Sequence, residues 1–124
     1  MDLNFVERFI ILNFRIFDDY ISRLGFFPPM VTYNERDGDS FVYKSYDGKR
    51  EIRLELIHTL EALKFDVILE VGYFKKKKYS VNDMNIKYKE DNIDIPITSD
   101  NLELVLGSYF EFIKKYLVDL IIKK

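Results

Sequence analysis

"FVYKSYDGKREIRLEL", residues 41–56, is the stretch on which the reading of this chain turns. Apolar and polar side chains alternate on both sides of Asp47-Gly48, a pair suited to the positive φ of a tight hairpin turn. Closing the strands there sets Tyr43 opposite Ile52 and Phe41 opposite Leu54 on one face. On the other face Lys44 meets Glu51 and Val42 meets Arg53, so apolar groups pair with apolar groups and a cation pairs with an anion. The stretch predicts an antiparallel hairpin with one buried face.

The preceding segment, "MVTYNERDGDS" (residues 30–40), must extend that face. A two-residue loop at Asp37-Gly38 would place Asn34 beside Phe41 and Thr32 beside Tyr43, which wastes it. A three-residue loop, Arg36-Asp37-Gly38 with Gly38 left-handed, predicts Tyr33 opposite Phe41 and Val31 opposite Tyr43. On the other side, "FDVILEV" (65–71) points Phe65, Val67, Leu69 and Val71 inward and Asp66, Ile68 and Glu70 outward.

Helical patterns bracket this region. Residues 3–24 carry Val6, Ile10, Phe14, Phe17, Ile21 and Leu24 at helical spacing. A second row, Phe5, Phe9, Leu12, Ile16 and Tyr20, leaves only a narrow polar strip. So wide an apolar surface calls for a sheet and a further cover, either the last helix or a second copy of the chain. Gly25 and "FFPP" end the helix. After the lysine run, Ser80 with Asp83 three residues on predicts a capped short helix with Val81, Met84 and Tyr88 on one side. "KEDNIDIPITS" reads as a polar connector. The closing helix is predicted to start near Asp100, paired with Glu103, and to turn Leu102, Leu106, Tyr109 or Phe110, Ile113, Leu117 and Leu120 inward. The expected architecture is therefore one α+β domain over residues 1–124: a four-stranded antiparallel meander with the N- and C-terminal helices packed on one face.

Composition narrows the functions. The chain has 124 residues, 48% of them hydrophobic, which is enough for a core without metals or cross-links. With no cysteine there is no disulfide, thiolate nucleophile or thiolate metal site. Asp2 and Glu7 stand where a secretory leader carries positive charge, and Arg15, Asp18 and Asp19 interrupt "FIILNF" short of a membrane span, so a cytoplasmic protein is expected. The net charge is −2, and the basic excess is local: Lys75, Lys76, Lys77, Lys78, Lys87 and Lys89 lie close together against Asp83 alone. A nucleic-acid domain spreads such charge over a face. The run reads instead as a solvated strand end whose charges block edge pairing, with no nucleic acid and no membrane as partner.

Catalysis is not expected. His58 is the one histidine, and no pattern supplies it with a nucleophile or acid. "DNIDIPITSD" lacks the spacing and glycine of a calcium loop, so no metal or cofactor is implied. The candidate partner-binding residues are Val42, Lys44, Tyr46 and Arg53 on the outer sheet face, together with the acidic hairpin tips Glu35, Asp37, Asp39 and Asp47. Mixed aliphatic, aromatic and arginine surfaces suit protein docking, and acidic tips suit a cationic partner. A protein partner is the favoured expectation. A structural homodimer or adaptor joined through the first helix is the alternative.

The segments "YISRLGF", "YKSYDGKREIRLEL", "FDVILEV" and "YSVNDMNIKYK" followed by a last helix resemble a group of small bacterial proteins grouped with toxin-immunity proteins. The resemblance spans roughly residues 20–122 and is carried by turn glycines and hydrophobic alternation. It implies neutralisation of a toxin domain by surface complementarity and carries no catalytic residues. "FFPPM" departs from the pattern and leaves open where the first strand begins.

Overall fold

In the computed structural model, which describes residues 3–34, 38–57, 61–73 and 75–122, the chain forms a five-stranded antiparallel sheet in the order β1-β2-β3-β4-β5. The strands are β1 (Met30–Asn34), β2 (Gly38–Lys44), β3 (Arg50–Ile57), β4 (Ala62–Gly72) and β5 (Lys75–Ser80). The meander was expected; its fifth strand was not. Lysines are poor strand formers in a sheet centre, but an edge strand leaves them in water, and Lys75–Lys78 are all exposed.

The β2–β3 register is the expected one, with Tyr43 across from Ile52, Phe41 from Leu54, Val42 from Arg53 and Lys44 from Glu51. The turn is wider than two residues. It closes where Ser45 N–H donates to Arg50 C=O at 2.9 Å, and Gly48 takes φ +73°. The β1–β2 register departs from expectation by two positions: Val31 faces Phe41 and Tyr33 faces Asp39. A two-residue shift keeps every side chain on its intended face. Asp39, two residues from Phe41 on β2, shares its inward face in either register, and the observed one sets it between Tyr33 and Leu56 at 2% exposure. Gly38, at φ +145°, ends this pairing where an added Cβ would lie 2.0 Å from Leu56 C=O, so glycine is needed there. In β4, Phe65, Val67 and Leu69 are buried as expected, but a bulge between Glu70 and Gly72 turns Val71 out to solvent. The approach to β1 is also settled: Phe26 bridges Ser45 before Pro28-Pro29, so the chain meets the sheet ahead of the first strand.

Two long helices roof the inner face. The first runs through α1 (Leu3–Asn13), a π turn (Phe14–Asp18) and α2 (Asp19–Arg23); the last through α4 (Leu102–Phe112), a π turn (Ile113–Leu117) and α5 (Val118–Ile122). Their buried rows explain the shared irregularity. Phe9, Asn13, Phe17 and Ile21 in the first, and Val105, Tyr109, Ile113, Leu117 and Ile121 in the last, recur every fourth residue. Four α-helical steps overshoot a full turn by about 40°. A wider i→i+5 turn takes up that overshoot and keeps the row facing the sheet. For the same reason the expected row through Ile10 and Phe14 is displaced. Phe9 and Asn13 are buried instead, and Phe14 is exposed.

A short helix, α3 (Val81–Tyr88), follows β5, and the Ser80 hydroxyl accepts from Asp83 N–H as expected. The last helix starts at Leu102 rather than Asp100. Thr98 and Asn101 cap each other's backbone N–H groups (2.7 and 3.2 Å), so these residues, not Asp100, mark where the helix begins. The linker is only half polar, since Ile93 and Ile97 are buried in the core.

Asn82 fastens these parts together. Its Oδ1 accepts from Phe65 N–H at 3.1 Å and its Nδ2 donates to Leu63 C=O at 3.0 Å, so one amide continues the β4 ladder where β5 has ended at Ser80. The same Nδ2 reaches the Tyr109 hydroxyl at 2.8 Å, and that hydroxyl donates to Leu63 C=O at 3.1 Å. Burial pushes the Tyr109 phenol up to about 12, so it remains a donor at neutral pH. Asn82→Ala should lower unfolding free energy by about 2 kcal/mol, read from denaturant melts, because the Phe65 N–H loses its partner.

Candidate docking face and its electrostatics

The outer face of the sheet carries no helix among the described residues. Alternation along β2, β3 and β4 brings Val42, Lys44, Arg53, Ile57 and Ile68 to it, each exposed or half-buried. Arg53 is held at its centre. One guanidinium nitrogen lies 3.1 Å from Glu51 Oε2 and another 3.8 Å from Glu55 Oε1, the residues two before and two after it on β3. Asp66 is the cross-strand neighbour of Arg53 and is 4% exposed, with Lys78 Nζ 3.6 Å from its Oδ2.

Beside Arg53 the face dips into a hollow of about 260 Å³ lined by Lys44, Lys49, Arg50, Glu51, Ile68, Glu70 and Lys76. Cations outnumber anions there, so the hollow favours an acidic group. A second, wider groove of about 1320 Å³ runs between the first and last helices over Ile16, Gly107 and Phe110. It is strapped by Arg15 on Glu103 and by Arg8 on the Ser99 carbonyl. These straps tie the helices to each other, and the groove's rim mixes both signs of charge.

The acidic tips behave differently from expectation. Asp39 faces inward and is buried, away from any tip surface. Asp47 is exposed, but its carboxylate is committed to its own turn: Ser45 hydroxyl at 2.6 Å, Lys49 N–H at 2.9 Å and Arg50 Nη2 at 3.2 Å. Glu35 and Asp37 lie outside the described residues, as do His58 and Phe74. Tyr46 leaves the sheet face; its ring meets Phe27 edge-on at 4.7 Å, at the corner where Tyr46 N–H donates to Gly25 C=O. Val42, Lys44 and Arg53 do share the outer face. Missed in the sequence were Glu51, Glu55 and Asp66, whose outward alternation was visible; Glu51 and Glu55 flank Arg53 along β3, and only the pairing of Asp66 with Lys78 depends on cross-strand geometry.

The lysine run divides between faces. Lys76 and Lys78 pair with Glu70 and Ile68 on the outer side, whereas Lys77 pairs with Leu69 and lies over the Tyr79 ring at 5.0 Å. No continuous basic stripe forms along β5. No family model, characterised protein or solved structure matches this chain. The architecture itself defines the class: an α+β fold with an antiparallel sheet roofed on one side.

Two measurements follow from this face. Hydrogen bonds from Ser45 and Lys49 hold the Asp47 carboxyl down to about 2. A depressed carboxylate contributes stability that is complete above the ordinary range near 4 and is lost as pH falls through about 2. Carboxyl NMR titration should place the Asp47 midpoint near 2, and in Ser45→Ala it should rise toward the ordinary value. Replacing Lys75–Lys78 with glutamine should leave retention on oligonucleotide or anionic-lipid supports at low salt nearly unchanged. Strong retention by the parent chain that the substitutions abolish would refute the solvated-edge reading.

Proposed function

We propose that this chain is a non-enzymatic protein-binding domain that docks a partner on the outer face of its sheet. The observation that carries the reading is Arg53, clamped between Glu51 and Glu55 at the centre of an uncovered face with Val42 and Ile68 close by in the ladder. A pre-ordered arginine among aliphatic groups is the kind of anchor that dominates protein interfaces, because little side-chain entropy is left to lose on docking. The cationic hollow beside it suits a partner whose contact is acidic.

The most specific form of this reading is an immunity protein that neutralises a bacterial toxin domain in the cytoplasm. It is supported by the resemblance of "YKSYDGKREIRLEL" and "YSVNDMNIKYK" to that group. The charged side chains gathered on the outer face form ion pairs and do not set a base against a nucleophile, which favours binding over catalysis. No helix among the described residues is long and apolar enough to cross a membrane.

The test begins with whether a neighbouring gene encodes a toxin domain, and continues with calorimetric titration of that domain and growth rescue on co-expression; neighbours without one would sink the immunity reading. Arg53→Ala should weaken binding about tenfold or more, whereas Asp47→Asn should bind like the parent. A parent chain that neither binds the domain nor relieves growth arrest would sink the immunity reading. Equal affinity of Arg53→Ala and parent would move docking to another face.

A further inference from the structure

The two edges of the sheet are chemically opposite. β5 presents Lys75–Lys78, a run that resists pairing with another strand. β1 reads Met-Val-Thr-Tyr-Asn, without a charge, and no described strand lies on its outer side. Natural edges are normally blunted by charge, bulge or cover, so an uncharged regular edge is a place for another strand.

The surface beside this edge is apolar as well. Ile11 is 63% and Phe14 42% exposed on the first helix, and the Phe14 ring lies 5.3 Å from that of Phe41. Phe41 in turn faces Val31 across the β1–β2 ladder. Val31 and Tyr33, on the helix side of β1, are themselves 39% and 49% exposed. Together they form one apolar strip that continues from the helix onto the edge.

We propose that a second copy of this chain pairs with β1, antiparallel, about a two-fold axis through Thr32. The strand is self-complementary in that arrangement: Val31 meets Tyr33 of the partner copy on the helix side, and Thr32 meets its own equivalent. Pro28-Pro29 cannot donate to a ladder and stops the pairing at Met30, which sets the register. The two-fold axis places both first helices on the same side of the joined sheet, so each Ile11 and Phe14 strip is covered by its counterpart. A lone peptide strand would satisfy the edge yet leave those side chains in water. Self-pairing at β5 would set lysines against lysines. The joined sheet has ten strands and leaves both outer faces free, so the proposal stands independently of the partner-binding face.

Thr32 is exposed and lies outside the core, so charging it tests the interface without disturbing the fold. Sedimentation equilibrium should show a concentration-dependent dimer for the parent chain. Thr32→Lys and Thr32→Glu should each raise the dissociation constant about tenfold or more, because like charges meet at the axis. An equimolar mixture of the two variants should restore dimer as a heterodimer, a result that general surface stickiness does not produce. A parent chain that stays monomeric at every concentration would overturn the proposal. So would a dimer unchanged by Thr32→Lys, or a mixture that fails to reassociate.

Discussion

Keeping two long helices face-on to the sheet is the constraint from which the rest of this structure follows. Through their middles both helices bury every fourth residue, Asn13, Phe17 and Ile21 in the first and Ile113, Leu117 and Ile121 in the last, a spacing that an α-helix alone would rotate away from the core. The π turns at Phe14–Asp18 and Ile113–Leu117 correct that drift in the middle of each helix. The first correction aligns Phe17 and Ile21 with Phe9, and sets the Phe17 ring 5.7 Å from Phe65 and 5.5 Å from Phe110. It also places Asn13 in the core with both amide atoms unpartnered, a cost set against the aromatic packing around it.

With the roof in place, the connections are clasped by side chains rather than by regular structure. Asn82 extends the β4 ladder and holds Tyr109 of the last helix. Asn85 closes the loop after α3 by pairing with both backbone groups of Glu90, and the Glu90 carboxylate then accepts from Tyr116 at 2.6 Å and Lys115 at 3.0 Å. Hydrogen bonds from Tyr116 and Lys115 hold the Glu90 carboxyl below the usual range, which keeps the clasp charged in mildly acid solution. Tyr88 stacks on Tyr116 at 4.0 Å and so joins α3 to the same point. A linker that is half polar in composition is thereby fixed at both ends.

The surfaces proposed for recognition are those this arrangement leaves uncovered. One face of the sheet is roofed by the two helices, and the other carries Arg53 paired with its neighbours along the strand. One edge is defended by lysine and the other is neutral, so association through strands has a single direction available. A dimer built on β1 would present two outer faces side by side, giving a partner of matching symmetry two contacts for one approach.

Much of the sheet was legible because alternation has a period of two and hairpin registers are local. Residues 41–56 determined the β2–β3 pairing, and even a two-position error at β1 preserved the inward and outward sets. The cap at Ser80, the outward alternation around Arg53 and the break at "FFPP" were equally local signals. What only the tertiary structure decided were features whose energy lies between distant segments. Lys75–Ser80 becomes a strand because Asp66–Gly72 offers it an edge, against its own propensity. Asp39 is buried because it shares the inward face of Phe41 and lies between Tyr33 and Leu56 of the neighbouring strands, and Asp47 is committed to its own turn because three donors converge on it there. The helical rows lie every fourth residue through the π turns, but whether that drift is tolerated or corrected depends on the mixed aliphatic and aromatic sheet face beneath, which no window of sequence contains.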